Sequence, residues 1–199
     1  MMTPLAILVD LDGTLVDTAL ANYEAYAQSL SEVGVTISRE RFDREVAGRN
    51  WKQFLPEMLA RAGVQAEPRA VAARKTVIYA ERLDRVIPNH ALIALLRQLR
   101  ATQCLAALVT SASAANARAV LRHLDLAGLF DTIVTGDDVS NHKPAPDSYQ
   151  LAAQRLGVDP AQCIVIEDSD IGVASANAFG APVLRVGAVS NWGAALQTH

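Results

Sequence analysis

The segment Asp10-Leu11-Asp12-Gly13-Thr14 sets two carboxylates two residues apart, with a glycine directly behind them. Three more groups of chemically capable residues follow along the chain: Thr110-Ser111, Lys143-Pro144 and Glu167-Asp168-Ser169. Acids, hydroxyls and a lysine in this combination suit a phosphate ester. Carboxylates alone would repel it, so a divalent cation is required. Mg²⁺ is usually held by one or two carboxylates plus water and phosphate oxygens, which Asp10 and Asp168 can supply. Lys143 adds a second positive charge, and Thr110 can donate its hydroxyl to a phosphoryl oxygen. One carboxylate is then free to attack phosphorus, and a partner acid must protonate the leaving alkoxide. Spacing alone does not say which acid takes which role. If the backbone stays extended, Asp10 and Asp12 approach the same space, and Gly13 lets the chain turn away.

Each group sits at or just past a short apolar run. Leu5 to Val9, Cys104 to Val109, Thr132 to Val134 and Cys163 to Ile166 read as buried parallel strands, with Val183 to Val186 a fifth. Helical periodicity fills the intervals. Ala91, Leu92, Leu95, Leu96 and Leu99 share a face, as do Val120, Leu121 and Leu124. Tyr149, Ala152, Ala153 and Leu156 form another, opened by Pro146 and stopped by Gly157. The βαβ rhythm predicts an α/β fold, a doubly wound, Rossmann-like parallel sheet, whose ligand site lies at the carboxyl ends of the strands.

Between Thr14 and about Val86 no strand-like run occurs, and the segment reads as a helical insertion. Thr18 can N-cap a helix carrying Tyr23, Tyr26, Ala27, Leu30 and Val33 and ending near Gly34. Asn50 can cap a second, with Phe54, Leu55, Met58 and Leu59 inward and Gly63 as terminator; Pro68 can open a third through Val71, Ile78 and Leu83. The division is thus residues 1–14 with 86–199 as a core and 15–85 as an inserted helical domain.

With four motifs in order, the chain resembles the haloacid dehalogenase-like hydrolase superfamily, in its phosphatase branch with a small helical cap, a branch that includes phosphoglycolate phosphatases and β-phosphoglucomutases. Asp10-Leu-Asp-Gly-Thr-Leu-Val-Asp17 is similar to the first motif, Thr110 in Leu-Val-Thr-Ser to the second, Lys143-Pro-Ala-Pro-Asp to the third, and Glu167-Asp-Ser with Gly172 and Ala176 to the fourth. The resemblance implies Asp10 as nucleophile and Asp12 as acid/base. It implies Mg²⁺ bound by Asp10, by the Asp12 backbone carbonyl and by Asp168, with Glu167 nearby or linked through water. Lys143, Thr110 and Ser111, together with the Gly13-Thr14 turn, would bind the phosphate, and the insertion would be a cap that closes over the site and reads the leaving group.

Each residue also has a plainer reading. Any single Asp after a strand can be a turn or helix cap, Ser113 can cap the helix after Thr110, and Ser169 or Asp170 can cap the one after Asp168. Convergence of all four groups outweighs these. Asp17 and Thr18 read as cap or hinge of the first inserted helix. Arg49, Lys75 and Tyr79 could face substrate, although solvated side chains are the commoner fate. His90, His123, His142 and His199 show no ligand spacing.

Composition narrows the alternatives. Net charge is -3 with no basic block, which gives nucleic-acid binding no support. The apolar stretch before Asp10 is too short for a signal or a membrane span. Cys104 and Cys163 each lie in an apolar run, as buried thiols would in a reducing compartment. The expectation is a cytoplasmic monomer or weak dimer acting on a small phosphorylated metabolite.

Four rival functions fit less well. A dehalogenase of the same family attacks carbon without a metal and would not carry an aspartate at the Asp12 position. A sugar-phosphate mutase is similar throughout but carries a histidine where Asn22 stands, which leans toward hydrolysis. A receiver domain has its phosphoacceptor on the third strand, not the first, and leaves the insertion unexplained. A non-catalytic interaction protein would not need complete motifs.

Overall fold

The computed structural model describes residues 6–47 and 49–187. Leu5, at the start of the first apolar run, and His199 lie outside the described residues. Along the chain, β1 (Ala6–Val9) and β2 (Val16–Asp17) precede four helices, α1 (Ala19–Ser31), α2 (Arg39–Glu45), α3 (Trp51–Arg61) and α4 (Pro68–Ala80). Then come β3 (Ile87–Pro88), α5 (His90–Ala101), β4 (Leu105–Val109), α6 (Ala114–His123), β5 (Thr132–Val134), α7 (Asp147–Leu156), β6 (Cys163–Glu167), α8 (Asp170–Phe179) and β7 (Val183–Arg185). The chain divides into two compact units: residues up to Asp17 with those from Ile87 onward, and Thr18–Val86.

In the first unit, five parallel strands lie in the order β5-β4-β1-β6-β7. Strand β1 is central, with Leu8 opposite Ala107 on one side and Val165 on the other. All four of its residues are at most 3% exposed, which explains why they are continuously apolar instead of alternating. Full burial of a residue such as Leu8 or Val9 contributes roughly 1.5–3 kcal/mol. A strand of such residues can therefore carry a buried carboxylate at its end. From β1 the chain winds outward through β4 to β5, then returns to β6 and β7 on the other side, so the carboxyl end of β1 lies at the reversal of strand order where α/β sheets bind ligands.

The second unit is the inserted helical domain. Its core joins Tyr26 and Leu30 of α1, Phe42 of α2, Phe54, Leu55, Met58 and Leu59 of α3 and Val71 of α4. The Tyr26 ring meets Phe54 edge-on at 5.4 Å. Helix α3 starts from a full capping box: Asn50 accepts from Lys52 N while Gln53 accepts from Asn50 N.

The sequence expectations fail at several points. Thr18 occupies the position before α1 but makes no side-chain cap, and its hydroxyl instead accepts from Asn22 Nδ2 at 3.0 Å. Helix α4 ends at Ala80, leaving Leu83 in a following 3₁₀ turn. Helix α2 and strand β2 arise in the stretch read as three helices without a strand; β2 pairs antiparallel with β3 over two residues, too few for a periodicity signal. On α5 the buried face is Leu92, Ile93 and Leu96, whereas Leu95 is 41% exposed. Lys75 and Tyr79 are buried, not solvated: the Lys75 ammonium takes Asn22 Oδ1 at 2.6 Å and lies over the Tyr26 and Tyr79 rings. Arg49 is exposed. Among the described residues no helix is long and apolar enough to cross a membrane.

Candidate active site

Asp10 follows β1 directly. Its backbone N–H donates to Ile166 O at 3.1 Å, which continues the ladder to β6, while its side chain leaves the sheet edge 7% exposed. The turn behind it is fixed by Gly13 N donating to Val16 O and by Leu15 and Val16 N–H groups donating to Leu11 O. Gly13 has a φ of +90°, which glycine adopts without strain. A Cβ there would lie 2.3 Å from Asp168 Oδ2. The glycine is thus required both by backbone conformation and by the acid packed against it.

Asp168 stands just past β6. It accepts the Thr14 hydroxyl at 2.9 Å, and the Thr14 carbonyl accepts Asn89 Nδ2 at 3.0 Å. Asn89, 1% exposed, also caps α5 through Leu92 N, tying the turn after β1 to the element that leads into β4. Thr14 thus holds the Asp168 carboxylate through its hydroxyl, and Gly13 leaves the space that the carboxylate occupies.

Lys143 reaches into the same place from the loop between β5 and α7. Its ammonium, on a side chain 3% exposed, donates to Asp10 Oδ1 at 2.7 Å, to Glu167 Oε1 at 2.6 Å and to Val109 O at 3.1 Å. Ser175 on α8 donates to Ala145 O at 2.6 Å and anchors the loop. Further back in it, Asp138 accepts from Thr135 and from Arg155, and Asp137 accepts from Ala114 N, joining the loop to the start of α6.

Glu167 is fully buried, and both its oxygens are occupied. Oε1 takes Lys143 and the Tyr149 hydroxyl at 3.0 Å; Oε2 takes Asp168 N, Ser169 N and the Ser169 hydroxyl at 3.0–3.2 Å. Five donors on one buried carboxylate favour its charged form.

Thr110, at the end of β4, accepts Ala112 N at 3.0 Å and donates to Asp12 Oδ2 at 3.4 Å, a long bond easily exchanged for another acceptor. Ser111 beside it is half-buried. Ser113 caps α6, and Ser169 caps α8.

One oxygen from each of Asp10, Glu167 and Asp168 falls within a 4.8 Å cluster, and Asp12 lies outside that group. Burial and the neighbouring Glu167 push the Asp10 carboxyl well above the usual carboxylate range, with Lys143 opposing and Asp168 reinforcing the shift. Burial likewise raises Asp168. For Glu167 burial acts upward too, but the Lys143 ammonium and the hydrogen bonds outweigh it and hold the group low. Lys143 stays protonated: its pKa is raised because Asp10, Tyr149 and Glu167 together overcome the cost of burial. Three acids with one ammonium leave an excess of negative charge, made of hard oxygens, which a divalent cation such as Mg²⁺ would balance.

The site also contains residues that sequence periodicity hid. Tyr149 reads as one apolar position on the face of α7, yet its hydroxyl is the group that reaches Glu167. Gly172 is named in the fourth motif without a role; a Cβ there would fall inside the Glu167 carboxylate, so its bare backbone makes the room that carboxylate occupies. Asn89, which joins the Thr14 carbonyl to the start of α5, belongs to none of the motifs.

A family model described as haloacid dehalogenase-like hydrolase matches residues 7–186. The chain is 32% identical over 181 residues to a fructose-1-phosphate phosphatase of Escherichia coli strain K12, covering 90% of this chain and 95% of that protein. It is 28% identical over 190 residues to the β-phosphoglucomutase of Bacillus subtilis strain 168, covering 92% and 83%. Its fold matches the crystal structure of CbbY from Rhodobacter sphaeroides in complex with phosphate, with a TM-score of 0.86 at 24% identity over 92% of this chain and 86% of that one.

Proposed function

The chain belongs to the haloacid dehalogenase-like hydrolase family, and from that premise we propose that it hydrolyses a small sugar or polyol phosphate in two steps, with Asp10 as nucleophile and Asp12 as acid/base. The observation that carries this reading is the Asp10 carboxylate itself: buried, at the carboxyl end of the central strand, and held by Lys143 at 2.7 Å.

In the first step an Asp10 oxygen bonds to phosphorus as the bond from phosphorus to the ester oxygen breaks, and the leaving alkoxide takes a proton from Asp12. In the second, water attacks phosphorus, the Asp10–phosphorus bond breaks, and Asp12 accepts the proton of the water. The Lys143 ammonium keeps Asp10 from turning away and lends positive charge to the phosphoryl oxygens. The Thr110 hydroxyl exchanges Asp12 for a phosphoryl oxygen, with Ser111 beside it.

Asp10, Asp168 and the Asp12 backbone carbonyl would hold Mg²⁺, which when bound offsets the charge of the carboxylates and the phosphoryl group. Thr14 and Gly13 support this indirectly by fixing Asp168. Glu167, whose oxygens already accept five donors, would serve the site by holding Lys143 and not as a direct ligand.

The similarity to a β-phosphoglucomutase supports a second reading, phosphoryl return to a sugar. Asn22 counts against it: within the helical unit this amide bonds the Thr18 hydroxyl and Lys75 Nζ, and an amide cannot relay a proton as a histidine can. With β-glucose 1-phosphate and a trace of the bisphosphate, hydrolysis predicts phosphate release faster than isomerisation; the reverse order would establish the mutase. The test of the main reading is Mg²⁺-dependent phosphate release from an aryl phosphate, abolished in Asp10→Asn and strongly reduced in Asp12→Asn. Undiminished activity in EDTA would refute the metal's part. A panel of phosphorylated metabolites would then identify the substrate, for which a cytoplasmic sugar phosphate is the leading candidate.

A further inference from the structure

Lys143 is the cation on which the proposed attack depends, and what holds its ammonium extends beyond the acids of the motifs. Tyr149 is completely buried on α7, in the helix that begins four residues beyond Lys143. Its hydroxyl donates to Glu167 Oε1 at 3.0 Å, the same oxygen that accepts Lys143 at 2.6 Å. Its ring also faces the ammonium, with Lys143 Nζ 4.9 Å from the ring centroid. The ring is in turn stacked on Phe179 of α8 at 6.2 Å. One side chain therefore contacts the cation through its π face and the cation's counter-charge through its hydroxyl.

We propose that Tyr149 is a positioning residue that fixes the Lys143 ammonium against Asp10, acting through Glu167 and through its own ring. The proposal rests on the phosphatase reading for what Lys143 does. The rival account is that Tyr149 only fills the core, as its place among Ala152, Ala153 and Phe179 would suggest. Geometry separates the two. A core filler has no need of a hydroxyl, and a buried hydroxyl without a partner is costly, whereas this one meets a charged acceptor at the site. The hydroxyl gives Glu167 Oε1 a second donor beside Lys143, so the oxygen that receives the ammonium is held from the α7 side as well.

Tyr149→Phe removes the hydroxyl and keeps the ring, its stacking and its volume, so folding is not the obstacle. The test is a double-mutant cycle on turnover of an aryl phosphate, combining Tyr149→Phe with Lys143→Ala and using Asp10→Asn as the blank. The expected result is a kcat lowered roughly ten- to a hundredfold by Tyr149→Phe with KM little changed, and no further loss when the same change is made in the Lys143→Ala background, in keeping with a hydrogen bond to a charged group. An equal fold loss in both backgrounds overturns the proposal. Turnover surviving in Asp10→Asn would refute the nucleophile assignment instead, and the positioning claim is then decided by crystal structures. In Tyr149→Phe the Lys143 ammonium should move off Glu167 Oε1; an ammonium still at its wild-type position overturns the proposal whatever the activity.

Discussion

A Cβ on Gly172 would stand 1.8 Å from Glu167 Oε1, inside the space the buried carboxylate occupies. Helix α8 can therefore pass close behind the site only because its third residue has no side chain. The same carboxylate anchors Lys143, so this glycine links the packing of a helix to the position of the cation proposed to act in catalysis. Replacing it by alanine gains about 1 kcal/mol of helix propensity. Forcing a methyl into a packed interior costs about 1–3 kcal/mol, and displacing a charged acceptor from five donors adds to that. Gly172→Ala should thus lower stability by at least 1 kcal/mol net and reduce kcat more than tenfold, measured by urea unfolding and steady-state kinetics. A gain in stability would show that the helix has room to shift.

Gly13→Ala addresses the other face of the site. The new methyl would collide with Asp168, and the φ of +90° adds backbone strain. The Mg²⁺ concentration for half-maximal activity should rise roughly 10- to 100-fold, the range typical when groups that orient metal ligands are altered. An unchanged activation constant with reduced kcat would place Gly13 with the phosphate instead of with Asp168.

The raised pKa of Asp10 has a stability consequence with a definite sign. Between the ordinary value of 3.8 and the raised one, the folded protein holds a proton that the unfolded chain has released, so stability falls as pH rises through that window. Above the window, ionised Asp10 costs the fold its full share. Asparagine carries no charge, so in EDTA at pH 8 Asp10→Asn should melt higher than the wild type by calorimetry, and the difference should vanish toward pH 4. Mg²⁺ should raise the melting temperature of the wild type more than that of the variant. A variant less stable than wild type at pH 8 would mean that its bond to Lys143 outweighs burial and repulsion.

The parallel sheet was legible because each buried strand is a continuous apolar run: Thr132–Val134 coincides with β5, and Cys163 to Ile166 with all but the last residue of β6. The polar groups at the strand ends were legible because they interrupt those runs. What stayed hidden was whatever depends on partners distant in sequence. β2 and β3 are two-residue strands that exist only because each pairs with the other, across the whole insertion. Lys75 looked solvated because a single charge in a helix gives no sign that Asn22, Tyr26 and Tyr79 surround it. Thr14 and Gly13 lie in the right motif, but only the folded chain brings Asp168 against them. Tyr149 was hidden most completely, since the periodicity that marks a core position says nothing about where a hydroxyl ends.

The central claim is that Asp10, and not Asp12, takes the phosphoryl group. Beryllium fluoride with Mg²⁺ imitates an acyl-phosphate, and a crystal structure of that complex tests the assignment directly. The account predicts beryllium bonded to an Asp10 oxygen, with the fluorides beside Lys143 and Thr110 and the Asp12 side chain free of the adduct. Beryllium on Asp12, or on neither acid while phosphatase activity persists, would contradict it.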